Sequence, residues 1–184
     1  MKGFRLILLS ASVVIGAAIL SRVEGAAPDT TLPGPFGPPS WDTLYPSKQR
    51  FLVLTQFASE AVLDRETGLV WMLTVPTGTW PWDGALASCR QQLVGSRRGW
   101  RLPSYEEMTT LLDPAYSNPA LPHGNPFKNF QPTDVFWTAT TDEGSASYAY
   151  ELGIASASTF SIGPKTSSFR FWCVRGGQST TNPF

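Results

Sequence analysis

Gly99-Trp100-Arg101-Leu102-Pro103-Ser104-Tyr105-Glu106-Glu107 is the stretch on which the reading of the fold turns. Ser104 and Glu107 form a capping box: the Ser hydroxyl takes the amide of the third helical residue, and Glu107 reaches back to the amide of Ser104. Pro103 sets the chain extended just before that cap. Met108, Leu111 and Leu112 supply the apolar face of the helix so opened, and Asp113-Pro114 stops it. Leu102 reads as core. Arg101 can donate five hydrogen bonds to loop carbonyls or a carboxylate. Trp100-Arg101-Leu102-Pro103 is therefore read as a structural turn.

Upstream, Trp82, Leu86, Cys89 and Leu93 recur on one helical face, which predicts a helix from about Pro81 to Leu93. Pro81 suits the first turn and Gly95 the end. Phe51–Leu54 reads as a strand, and 61–72 as strand, turn and strand, with Asp64 and Gly68 in the turn. Downstream, 115–133 is a long loop containing Pro119, Pro122, Pro126 and Pro132. Loops of that length inside a domain are often functional. Strands are expected at 135–140, 148–152, 158–162 and 168–174. The order is an α+β pattern: two helices on a small, mostly antiparallel twisted sheet, with a long loop.

The ends read differently. Lys2 and Arg5 precede an uncharged run, Leu6 to Leu20, and small residues follow it. That is a secretory signal with cleavage after Gly25 or Ala27, the alternative being a membrane anchor, for which 15 residues are few. Residues 26–49 form a Pro-rich linker or arm, 50–177 the domain and 178–184 a polar tail.

The chain has 184 residues, 14 of them basic, 14 acidic and one a histidine. Such neutrality gives no electrostatic means of tracking a phosphate backbone, so a nucleic-acid partner is not expected. Removing Lys2, Arg5, Arg22 and Glu24 with the signal leaves 11 basic and 13 acidic residues, still near neutral. Exported proteins meet an oxidising compartment, where Cys89 and Cys173 read most simply as one disulfide; two buried thiols are the alternative. A structural zinc site wants four N/S ligands, and the chain offers two cysteines and His123.

In this order the motifs resemble the Lcl C-terminal domain family, named for a collagen-like adhesin of Legionella, from about Arg50 to Gly177. The resemblance is carried by Asp64…Thr67-Gly68-Leu69-Val70-Trp71 and by Trp80-Pro81-Trp82-Asp83-Gly84-Ala85-Leu86…Cys89. It is carried further by the Gly99–Glu107 stretch, Phe136-Trp137-Thr138-Ala139-Thr140 and Cys173-Val174-Arg175. It implies a C-type-lectin-like fold with a long disulfide from first helix to last strand, in an exported bacterial protein. The named adhesin binds sulfated polysaccharides and trimerises through a collagen region. Here Gly34-Pro35-Phe36-Gly37-Pro38-Pro39 gives only two Gly-X-Y triplets, too few for a triple helix.

Trp71, Trp100, Arg101, Leu102, Pro103, Ser104, Glu107 and Trp137 are assigned structural roles. A similar R-L-P turn occurs in formylglycine-generating enzymes, but those need a pair of copper-binding cysteines, and here both are assigned to the bridge. His123 is the single imidazole on which a triad could be built, and it reads as a surface residue. Gln131-Pro132-Thr133-Asp134 only partly echoes the calcium triplet of true C-type lectins, and no Trp-Asn-Asp follows it. No metal or other cofactor is expected. Two ligand surfaces are: Arg90, Arg97 and Arg98 with Trp100, suited to sulfate or carboxylate, and the long loop with His123, Phe127, Asn129 and Phe130. The expected function is an exported, periplasmic or extracellular, non-catalytic adhesin-like recognition module, with an acidic glycan or an envelope protein as partner and no membrane association after signal cleavage. The alternatives are a formylglycine-generating-type oxidase and a structural subunit of an envelope assembly.

Overall fold

A computed structural model describes residues 45–157 and 160–176. The expected signal, nearly all of the Pro-rich arm and the polar tail lie outside the described residues. The elements run α1 (Ser47–Arg50), β1 (Phe51–Val53), a 3-10 turn (Thr55–Phe57), β2 (Ala61–Asp64), β3 (Val70–Met72), α2 (Trp82–Gln91) and α3 (Tyr105–Thr109). They continue with β4 (Val135–Thr141), β5 (Tyr148–Gly153), β6 (Phe160–Pro164) and β7 (Val174–Arg175). The architecture is α+β. Its antiparallel pairing is divided between two sheets, ordered β1-β2-β3-β7 and β4-β5-β6.

The β2–β3 turn is built by Asp64. Its carboxylate accepts from the Glu66 amide at 3.1 Å and the Thr67 hydroxyl at 2.9 Å, and Gly68 takes φ 71°. The same carboxylate, fully buried, receives Arg50 as a fork, Nε–Oδ1 2.9 Å and Nη2–Oδ2 2.8 Å. Arg50 also pairs with Glu66 at 3.0 Å and donates to the Thr110 carbonyl at 2.5 Å, so the first sheet is tied to the end of α3. Two oxygens and two N–H groups in one plane make this a strong pair once out of water. Neither partner was singled out as a pair in the sequence.

Helix α2 buries Ala85 and Cys89, with Trp82 and Leu86 packed partly beside them. It ends at Gln91, so Leu93 does not continue its inner face; Leu93 is 57% exposed. The disulfide joins Cys89 to Cys173, 84 residues apart, with Cα atoms 5.5 Å from each other. Helix α3 carries the capping box in full: Ser104 Oγ accepts from the Glu107 amide at 3.2 Å, and Glu107 Oε2 accepts from the Ser104 amide at 2.9 Å.

The expected final strand over 168–174 is a ladder strand only at 174–175. Segment 169–174 instead crosses between the sheets, which sets its irregular pairing. Arg170 exchanges backbone bonds with β4, accepting from Trp137 and donating to Val135, while Cys173 accepts from Met72 of β3. The crossing places Trp172 at the centre of the core. Its ring lies 5.8 Å from Trp71, 4.7 Å from Phe127, 5.7 Å from Phe136 and 6.2 Å from Phe130. Its indole N–H donates to the Met72 carbonyl at 2.9 Å, so the polar end of the buried ring is satisfied.

Candidate functional site

The long loop does not stand away from the domain. Ala120 is bonded to both Asp113 and Ile154 through the backbone, Asn118 donates to Ala155, and Lys128 bridges Leu73 and Val75. Phe127 is 7% exposed, wedged between Phe51 and Trp172, and Phe130 stacks on Trp172. Phe127 is core, which corrects its assignment to a ligand surface, and Phe130 is half-buried against that core. Asn129 is on the surface, but its side-chain Nδ2 donates to the Val75 carbonyl at 2.6 Å and its backbone carbonyl accepts from Arg170 at 2.7 Å. His123 is exposed, its ring 4.6 Å from that of Tyr116.

The arginine run is divided by the fold. Trp100 is 1% exposed and donates its indole N–H to the Arg97 carbonyl at 2.9 Å, so it belongs beneath the surface, not on it. Arg101 is occupied: both terminal nitrogens lie 2.6 Å from the Glu107 oxygens, and a further bond goes to the Gly176 carbonyl at 2.7 Å. Arg90 is exposed on the last turn of α2, with no contact joining it to the others. Arg97 and Arg98 remain, and the structure adds Arg175.

Their convergence has a local cause. Val94 and Arg97 exchange backbone bonds at 3.2 and 3.0 Å around Gly95 (φ 55°) and Ser96 (φ 61°). Two central residues with φ > 0 define a tight type I′ turn. Gly95 is therefore a turn residue here rather than a helix stop. Its amide is held by Glu60 Oε2 at 2.8 Å, and its lack of a side chain lets the turn lie directly on Phe57. That places the Arg97 guanidinium 4.9 Å over the Phe57 ring, while Arg175 approaches the same ring at 5.8 Å. Arg175 Nε donates to the Arg98 carbonyl at 3.0 Å from 77 residues away. Trp100 packs edge-on to Phe57 at 6.3 Å and backs the ring. Among the described residues none of Arg97, Arg98 and Arg175 is in an ion pair. A guanidinium lying over a ring is held in place yet keeps N–H edges for an oxyanion. Phe57 and Arg175 were missed in the sequence because nothing local links a 3-10 turn to the closing strand.

Elsewhere, Glu151 of β5 is 8% exposed, with Oε2 unpartnered. Burial pushes its carboxyl above the ordinary value, against a smaller opposing effect of its hydrogen bond with Ser161. Among the described residues no group of three or more His, Cys, Asp and Glu is placed to hold a metal ion, and no helix is long and apolar enough to cross a membrane.

The Lcl C-terminal domain family model matches residues 60–175, and the chain belongs to that family. No curated protein matches it significantly. The matched span takes in the disulfide, the capping box and two of the three arginines' supporting elements, β7 and the 94–97 turn; Phe57 lies just before it.

Proposed function

We propose that this chain is an exported, non-catalytic recognition module of the adhesin type whose arginine face binds an acidic glycan. The observation that carries the reading is the stacking of Arg97 and Arg175 on one ring, Phe57, with Arg98 beside them and no carboxylate paired to any of the three among the described residues. Cations left unneutralised but held in place suit sulfate or carboxylate groups, which take charge-assisted, bidentate bonds from Arg. Family membership, the disulfide and the N-terminal signal pattern support export. The α+β architecture and the long bridge support kinship with C-type-lectin-like folds. Joining Cys89 to Cys173 leaves no thiol for formylglycine-type oxidation.

The test is a glycan array probed with purified protein at low and high salt. Sulfated or uronic glycans are expected to bind, with signal lost at high salt. Arg97→Ala with Arg175→Ala should weaken binding about tenfold or more, while Arg90→Ala should not. The reading is overturned if acidic glycans give no signal, or if the purified protein turns over a substrate. A blank array together with elution as a stable complex would favour the structural-subunit alternative.

A further inference from the structure

The start of α3, the end of β4 and the β4–β5 turn enclose a cleft of about 360 Å3 lined by Tyr105, Glu106, Thr140, Thr141, Glu143 and Tyr150. We propose that this cleft is a second ligand site and that it takes a neutral oligosaccharide. It is chemically the opposite of the arginine face and does not depend on it. Its volume is within the ~300–1,000 Å3 of small-molecule sites.

The lining selects the ligand. The rings of Tyr105 and Tyr150, both half-buried, lie 5.4 Å apart and tilted by 45°, and make part of the cleft wall aromatic. Thr140 Oγ1 accepts from the Tyr105 amide at 2.9 Å, and Thr141 Oγ1 accepts from Lys165 Nζ at 3.0 Å. A hydroxyl that accepts from a fixed donor still has its own hydrogen to give. Glu106 and Glu143, both exposed, can only accept. Donors and acceptors thus surround aromatic faces. Sugar hydroxyls need both kinds of partner and sugar C–H faces need the rings, whereas an ammonium group would use the carboxylates and the rings but leave the threonine hydroxyl hydrogens unused. A sulfated or uronic glycan would meet two carboxylates. The cation at the edge, Lys165, has its Nζ 3.9 Å over the Trp82 ring and is one charge against two.

The site is open along the sheet. Tyr148 lies two residues from Tyr150 on the same strand face, and Ile162 of β6 is directly opposite Tyr150. Both are 39% exposed. Same-face residues of a strand are about 7 Å apart, so a ligand of several sugar units could run from the cleft along Tyr148. The strip was not legible in the sequence, because Tyr105 and Tyr150 meet only when α3 packs on the second sheet.

The experiment is an amide NMR titration of the full mature chain with neutral tetrasaccharides of glucose, mannose and N-acetylglucosamine, alongside tetramethylammonium and heparin. At least one tetrasaccharide should shift Glu143, Tyr148 and Tyr150 saturably, with the same affinity at low and high salt. Glu143→Ala and Tyr148→Ala, both at exposed positions, should each weaken it about five- to tenfold with an unchanged Tm. The proposal is overturned if no tetrasaccharide shifts these residues, if both variants bind like the parent, or if tetramethylammonium or heparin occupies the cleft more tightly. Loss of heparin binding in the Arg97→Ala, Arg175→Ala protein with tetrasaccharide binding intact would support two separate sites. Loss of tetrasaccharide binding in that protein would overturn the assignment to this cleft.

Discussion

Gly95 lies against the backbone of Phe57 so closely that a Cβ on it would come within 2.5 Å of the Phe57 carbonyl carbon. Backbone cannot swing aside as a side-chain tip can, and φ at Gly95 is 55°. Gly95→Ala therefore combines overpacking with a left-handed alanine, and is expected to cost about 2–4 kcal/mol in urea unfolding. If the folded variant keeps Arg97 over Phe57, its acidic-glycan affinity stays that of the parent; displacement of the turn lowers it.

Reducing the Cys89–Cys173 bridge releases a closure of 84 residues. The chain-entropy treatment values this at about 4.5 kcal/mol. Cys89→Ser with Cys173→Ser should lower Tm as much as reductant lowers that of the parent. Equal melting of oxidised and reduced protein would refute a stabilising bridge.

Asp64 is fully buried and receives the Arg50 fork as well as the turn bonds from Glu66 and Thr67. Asp64→Ala leaves a buried guanidinium without its main partner, and a loss of about 3–5 kcal/mol is expected. Arg50→Met combined with Asp64→Leu should recover only part of it. The double variant removes the uncompensated charge but still leaves the turn donors without their acceptor. Chemical unfolding of the three variants checks the order.

Glu151 gives a pH signature. Its carboxyl is raised above 4.5 because burial disfavours the charged form. Below the unfolded value the group is neutral in both states and carries no penalty. As pH rises through the folded value, the unfolded chain ionises more readily and stability is lost. Glu151→Gln stays neutral, so its Tm should gain on the parent as pH rises above about 4.5 and the gap should close below it. A gap independent of pH would show that burial does not raise this carboxyl.

Local chemistry was legible wherever a few neighbouring residues decide the outcome. The box at Ser104 and Glu107, the Asp64–Gly68 turn and the body of α2 follow from hydroxyl reach, positive φ and apolar spacing. Boundaries failed where the backbone leaves its period for tertiary reasons. Leu93 continued the pattern of α2, yet the helix stops before it. Residues 168–173 had strand composition, yet their hydrogen bonds are shared between two sheets, which no alternation of residues encodes.

Exposure was the least legible property. Phe127, Phe130 and Trp100 look alike on paper to residues that hold ligands, because an aromatic ring suits a core and a binding surface equally well. The amino-acid order by itself determined the covalent span available to the two cysteines, the α+β sequence of elements and the family to which the chain belongs. Only the packed structure decided that Arg97 and Arg175 share the ring of Phe57 and that Tyr105 meets Tyr150, since each pairing joins segments distant in sequence that come together only when the two sheets and α3 close on one another.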